Sequence, residues 1–367
     1  MDETLNLTGY AHALGRAQAA WRFAAPALRR AAALATISAA WDVFRRDAGA
    51  GAVGPAHETT AGAAQLLFSD DPRRDAVLLW LADHAAPELA AAAATLARMV
   101  RATRRFGAEE QALLDVAQGA LAAPTPNLGP IARGVIGAGT SDTGVLEILH
   151  AIAVAVDRLR DDVGFREGDG AEVRHALPRG TLSRYVPADP AGCWALNLAL
   201  LGRDAKPAGV PPSPGLVSRM LFRGDLEMEE LAAQLVDGAR LAWNDVYDRL
   251  IALEPELARG RNALAHLSRN ARTRDAWLLV ASLGACTRTQ LAAALGLSRA
   301  GADIQAIALA DAGLATLGTG GRIAWAGART GQDTVPAPID QGPLGDAISD
   351  LDASLAEIDR LLARTAG

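Results

Sequence analysis

Alanine supplies roughly a fifth of the residues, while Phe, Trp and Tyr together supply only 4% of a chain that is half apolar. A core built from methyl groups and leucine reaches native density where backbones approach closely, as packed helices do. An all-β fold is therefore excluded and a mainly α fold expected. At 367 residues, the chain is long enough for a large core and for more than one domain. Its two cysteines, Cys193 and Cys286, are too few to brace a secreted fold and too far apart for a local metal loop, which makes a reducing cytosol the expected setting. The opening MDETLNLTGYAHALGR resembles neither a signal nor a transit peptide, and Ala-rich runs such as 88–99 are far shorter than the roughly 20 residues of a bilayer span. A cytoplasmic protein without membrane contact is expected.

The first 258 residues read as an Ala-rich helical body, with a break near 123–142 that divides it into two subdomains. Asp71-Pro72 is a helix start, and a segment from Pro87 runs to Arg101, Arg104 and Arg105 before Gly107, where cations oppose the helix dipole. The same arginines could hold an anion, but capping the helix end is the simpler role. Val145, Ile148, Leu149, Ile152, Val156 and Leu159 give a helix over 143–159, and a short apolar helix follows at 194–201. The Gly- and Pro-rich stretches 164–192 and 202–215 read as loops. After Asp225, Leu231, Leu235, Ala242, Val246 and Leu250 share one stripe of a helix expected to stop near Pro255.

Charge is unevenly distributed. Residues 259–330 hold 9 arginines against 3 aspartates, inside a chain whose net charge is −6. An Arg-rich, Glu-free segment is the footprint of a fold that neutralises phosphates. Within it, RTRDAWLLVASLG, TRTQLAAALGLS and SRAGADIQAIALADAGL read as three helices. The middle unit has the helix-turn-helix pattern: Thr289 to cap, Leu291, Ala292 and Leu295 inward, Gly296 for the tight turn, Leu297 to plug the corner and Ser298 to cap the third helix. Gly318, Gly320 and Gly321 then separate two short runs, 314–317 and 322–325, as in a hairpin. That order makes a winged helix-turn-helix over 259–330. The third helix would enter the major groove of double-stranded DNA with Arg299 as best-placed reader and Asp303 and Gln305 contributing. Arg322 on the wing would meet phosphate, and Arg272, Arg274, Arg288, Thr289 and Ser298 complete the candidate DNA-binding set. The third helix is poor in donors, so weak sequence discrimination is expected.

The residues Ser268-Arg269, LAAALGLS, Ala312-Gly313-Leu314, Gly320-Gly321-Arg322 and Ala324-Trp325 also carry a resemblance. The stretch from about 268 to 325 resembles the C-terminal helix-turn-helix domain of rhizobial plasmid proteins, in which an N-terminal helical domain of unknown function precedes a small DNA-binding domain. The resemblance covers about a sixth of the chain and implies DNA binding and regulation, without implying a known activity.

A linker over 331–344 leads to a terminal amphipathic helix, 345–365, where Ile348, Leu351, Leu355, Ile358 and Leu362 form a short heptad seam. The seam suits a homodimer and equally suits packing on the protein's own body. No cofactor, metal or catalytic residue is expected. The nearest phosphate cradle, GVIGAGTSDTG at 134–144, lacks a following Lys and matches neither common glycine fingerprint. The six histidines show no ligand spacing, and His150 reads as a buried, satisfied core residue. The expectation is a transcriptional regulator or plasmid-maintenance factor. A protein-interaction scaffold is the alternative, and a nucleotide-dependent enzyme using the glycine loop is a more distant one.

Overall fold

The computed structural model describes residues 7–48, 66–122, 131, 143–166, 171–177, 180–186, 192–203, 209–224, 227–267 and 271–327. The protein is mainly helical, with a small three-stranded antiparallel sheet near the C-terminal end of the described residues. No described helix is long and apolar enough to cross a membrane. The expected linker and terminal helix, with the seam Ile348, Leu351, Leu355, Ile358 and Leu362, lie outside the described residues, as do residues 134–142 and Ser268-Arg269.

Helix α1 (Leu7–Phe23) lies along α8 (Met228–Ala263), with the Arg16 guanidinium 3.9 Å from the Tyr247 ring centre. Helix α2 (Pro26–Asp47) is the central element. It packs on α4 (Pro87–Val100), α7 (Cys193–Leu201), α8 and α9 (Arg272–Leu283). Its alanines 31, 32, 33 and 40 are buried, which lets neighbouring helices come close. Much of the scarce aromatic content gathers at its C-terminal end, where Phe44 meets Trp41 at 5.7 Å and Trp194 at 5.1 Å.

Helix α3 (Arg73–His84) starts as expected, with the Asp71 carboxylate accepting from the Arg73 backbone N–H at 2.9 Å. Helix α4 ends at Val100 because Arg101 turns left-handed (φ 55°), and Arg105 donates to Asp83 at 2.9 Å. Helices α5 (Ala108–Ala122) and α6 (Thr143–Leu159) pair beside α7, whose residues are all buried. Asn197 of α7 is a buried tie. Its Nδ2 donates to the Val217 carbonyl (2.8 Å) and to Asp47 (3.2 Å), and its Oδ1 accepts from the Val217 N–H (3.1 Å). That bonding satisfies both backbone groups of buried Val217, at the end of a segment, 210–217, that belongs to no helix or strand.

Three expectations are corrected. Part of the stretch read as loop, 164–192, pairs as an antiparallel hairpin of β1 (Ala171–Leu177) and β2 (Gly180–Val186), closing at Leu177–Gly180. Its flanking glycines and prolines hid two seven-residue strands. Helix α8 does not stop near Pro255; it runs through it to Ala263. The missing Pro N–H costs one helical bond, but Leu253, Leu257 and Leu264 stay buried on the same side and hold the last turns in line. The boundary expected after residue 258 consequently falls inside a helix. His150, expected buried and satisfied, is half-buried, and its Nε2 has no hydrogen-bond partner among the described residues.

After α9 come β3 (Ala285–Thr287), α10 (Arg288–Leu295), α11 (Arg299–Asp311), β4 (Ala315–Leu317) and β5 (Arg322–Trp325), the sheet order being β3-β5-β4. Buried residues from Tyr10 to Ile323 belong to one continuous core.

Candidate nucleic-acid interface

Local chemistry sets the two-helix unit at 287–311. Thr287, rather than the expected Thr289, caps α10: its hydroxyl accepts from the Gln290 N–H (3.1 Å), while Gln290 Oε1 accepts from the Thr287 N–H (2.8 Å). Only the residue with extended backbone ahead of the first turn can cap, and Thr289 already lies within the helix, exposed. Gly296 ends α10 in the left-handed region (φ 63°), and Ser298 Oγ accepts from the Gly301 N–H (3.1 Å) to open α11. Leu291, Ala302, Ala306 and Leu309 close the inside of the unit. Gly320 and Gly321, both at positive φ, turn the chain between β4 and β5. On β3, burial pushes the Cys286 thiol up to about 12, which makes it an inert core residue.

The unit is anchored on its back. Helix α10 packs on α4, Gln290 Nε2 donates to the Leu67 carbonyl (3.0 Å), and the Arg322 guanidinium lies 5.1 Å from the Phe68 ring centre. Glu256 on α8 is a hub that sequence reading missed. Its carboxylate accepts from Arg259 (2.8 Å) and from Trp325 Nε1 (3.0 Å), and its backbone carbonyl accepts from Trp277 Nε1 (3.1 Å). Helix α11 packs chiefly on α9, α10 and β4, so its outer side faces away from the body.

The candidate side chains divide into two groups. Arg299, Ser298 and Thr289 are exposed around the start of the two helices, and Arg322 is exposed at the hairpin. Four of the others, Arg274, Arg288, Asp303 and Gln305, are half-buried and engaged inside the protein, which corrects their expected roles, while Arg272 is exposed and only loosely paired. Arg274 donates to the carbonyls of Leu264 (3.4 Å) and Leu267 (3.0 Å), closing the end of α8. Arg288 pairs with Asp303 at 3.1 Å, Arg272 faces Asp275 at 3.5 Å, and Gln305 Oε1 accepts from the Thr273 hydroxyl at 2.6 Å. The reason is common to the four half-buried side chains. Partners that are remote in sequence satisfy them more cheaply than solvent would at half-buried positions. Much of the segment's positive charge is thereby matched internally. Of the candidate cations, Arg299 and Arg322 are both exposed and have no acidic partner among the described residues.

The outer face of α11 also presents Ile304 (64% exposed) and Ile307 (49%), with Leu317 of β4 (38%). The signal was present in the sequence: both isoleucines fall off the Ala302, Ala306, Leu309 stripe that faces inward. No known family model, no characterised protein and no solved structure matches the chain significantly.

Proposed function

We propose that the protein binds double-stranded DNA through a winged helix-turn-helix formed by residues 272–325, as a transcriptional regulator or plasmid-maintenance factor. The observation that carries this reading is that α11 turns its outer side, with Arg299 in its first turn, away from the helical body. Helix α11 enters the major groove, Arg299 reaches base edges, and Arg322 on the β4–β5 hairpin meets phosphate. Ser298 and Thr289 are exposed polar groups within reach of the flanking backbone. The order of elements and the resemblance to rhizobial plasmid proteins point the same way.

Internal engagement of Arg274 and Arg288 limits the electrostatic part of binding. With two or three cations left to meet phosphates, log K should fall with log salt at a slope of about −2 to −3 per copy. Fluorescence anisotropy of labelled duplexes over a salt series tests this. Arg322→Ala should flatten the slope by about 1 for every duplex, and Arg299→Ala should weaken preferred sequences most. Absence of duplex binding at low salt overturns the proposal.

The exposed pair Ile304 and Ile307 favours a second reading, a protein-docking face. It predicts that Ile304→Asp abolishes partner association in a chain that binds no duplex at low salt.

A further inference from the structure

The seam between the helical body and the C-terminal unit contains a cavity of about 240 Å³. Four helices line it: α2, α4, α9 and α10. At roughly 30 Å³ per water-sized group, it holds about eight such groups, below the range typical of drug-sized ligands. Its apolar lining includes Leu34, Leu278, Leu279 and Leu295, and its charged lining comprises Arg30, Arg272, Glu88 and Asp275. The formal charge of that lining is balanced: Arg30 comes from α2, Glu88 from α4, and Arg272 and Asp275 both from α9.

These charges are loosely held. Arg30 stands 3.8 Å from Asp275, Arg272 3.5 Å from the same carboxylate, and Glu88 3.9 Å from Arg29. Several ion pairs elsewhere close to hydrogen-bonding distance, as in Arg259–Glu256 (2.8 Å), Arg105–Asp83 (2.9 Å) and Arg74–Asp75 (2.9 Å), although Arg249–Asp245 also stands at 3.5 Å. Among the described residues, none of Arg30, Arg272, Glu88 and Asp275 makes a side-chain hydrogen bond. Two guanidinium forks and the Glu88 carboxylate thus keep their directional bonding capacity for an occupant, beside an apolar floor.

We propose that this cavity binds a small zwitterion with an apolar side chain, of the apolar amino-acid class. The carboxylate is held by Arg30 and Arg272, the ammonium group by Glu88, and the side chain lies over Leu34, Leu278 and Leu295. A balanced lining disfavours an occupant with net charge of either sign, because a lone anion would face Glu88 and Asp275 and a lone cation would face Arg30 and Arg272 with no compensating head group. The inference goes beyond the DNA-binding reading and does not depend on it.

Calorimetric titration of the full chain, without DNA, tests the proposal using L-valine, L-leucine and L-methionine. 4-Methylpentanoate and 3-methylbutylamine serve as probes carrying leucine's apolar body with a single charged head. At least one amino acid should bind in the millimolar range or tighter, and both single-headed probes should bind at least tenfold more weakly than leucine. Arg30→Gln and Glu88→Gln, at exposed side chains, should each weaken binding at least tenfold while leaving the urea midpoint unchanged. No binding by any of the three amino acids, equal binding of the single-headed probes, or wild-type affinity in either variant overturns it.

Discussion

Gly260 of α8 lies against the Trp277 indole of α9, and replacing it by alanine tests whether the C-terminal unit is seated as described. A Cβ at that position would overlap the Trp277 indole at Cδ1, Nε1 and Cε2, the last at 2.9 Å, against 3.4–4 Å for ordinary contact. Trp277 has little room to yield: it is 2% exposed, its Nε1 donates to the Glu256 carbonyl at 3.1 Å, and the Arg259 guanidinium lies 5.1 Å from its ring centre. Forcing a methyl group into such a site costs about 1–3 kcal/mol, and losing the indole hydrogen bond about 1 kcal/mol more. Helix propensity returns about 1 kcal/mol on exchanging Gly for Ala. Gly260→Ala should therefore be net destabilising by about 2 kcal/mol. Gly238 in the same helix is the internal control, since a Cβ there meets only the Leu216 carbonyl oxygen at 3.7 Å. Gly238→Ala should gain up to about 1 kcal/mol from propensity alone. Urea unfolding followed by far-UV circular dichroism should place the midpoint of Gly238→Ala at or above wild type and that of Gly260→Ala clearly below. In the double variant Gly260→Ala, Trp277→Leu, the two losses should sum to less than their separate values, because the smaller side chain makes room for the methyl. A Gly260→Ala protein as stable as Gly238→Ala would refute the close approach, and with it the seating of α9 on α8.

Pro255→Ala should raise the urea midpoint, by an amount equivalent to about 1–3 kcal/mol, because an exposed interior proline forfeits one helical hydrogen bond and crowds the preceding turn. A lower midpoint would contradict this account of a proline that interrupts the helix without serving its packing. For Asp47, burial raises the carboxyl pKa, and the Arg46 charge opposes the shift. A folded-state pKa above the unfolded value means that the stability linked to this group is complete below about pH 4 and is lost as pH rises through the folded pKa. Asp47→Asn should accordingly gain on wild type with rising pH. Parallel stability–pH curves measured by thermal unfolding from pH 4 to 8 would contradict this assignment.

The helical class of this protein follows from its alanine and leucine content and from period-3.6 stripes. The helix expected at 143–159 spans Thr143–Leu159, and the short apolar helix expected at 194–201 spans Cys193–Leu201. These elements are legible because propensity, capping and burial act over a few neighbouring residues. The turn at Gly296 and the cap at Ser298 are local in the same sense, each requiring one backbone angle or one side-chain oxygen. The hairpin at 171–186 escaped because strand pairing is a relation between two segments, and composition had marked both as loop. Helix α8 outran its proline because contacts with distant helices outweighed a local penalty.

Charge shows the same division more sharply. Nine arginines between 259 and 330 are countable in the sequence, and their sum suggests an anion-binding surface. Which of them face outward was decided by folding. Arg288 found Asp303, Arg274 found the carbonyls at the end of α8, and Arg259 found Glu256 and the Ala326 carbonyl, while Arg299 and Arg322 stay exposed with no acid beside them among the described residues. A sequence states how much charge a segment carries, since ionisation belongs to each side chain. Only the tertiary structure sets where that charge is spent, because Coulomb and hydrogen-bond energies depend on distances that folding alone creates.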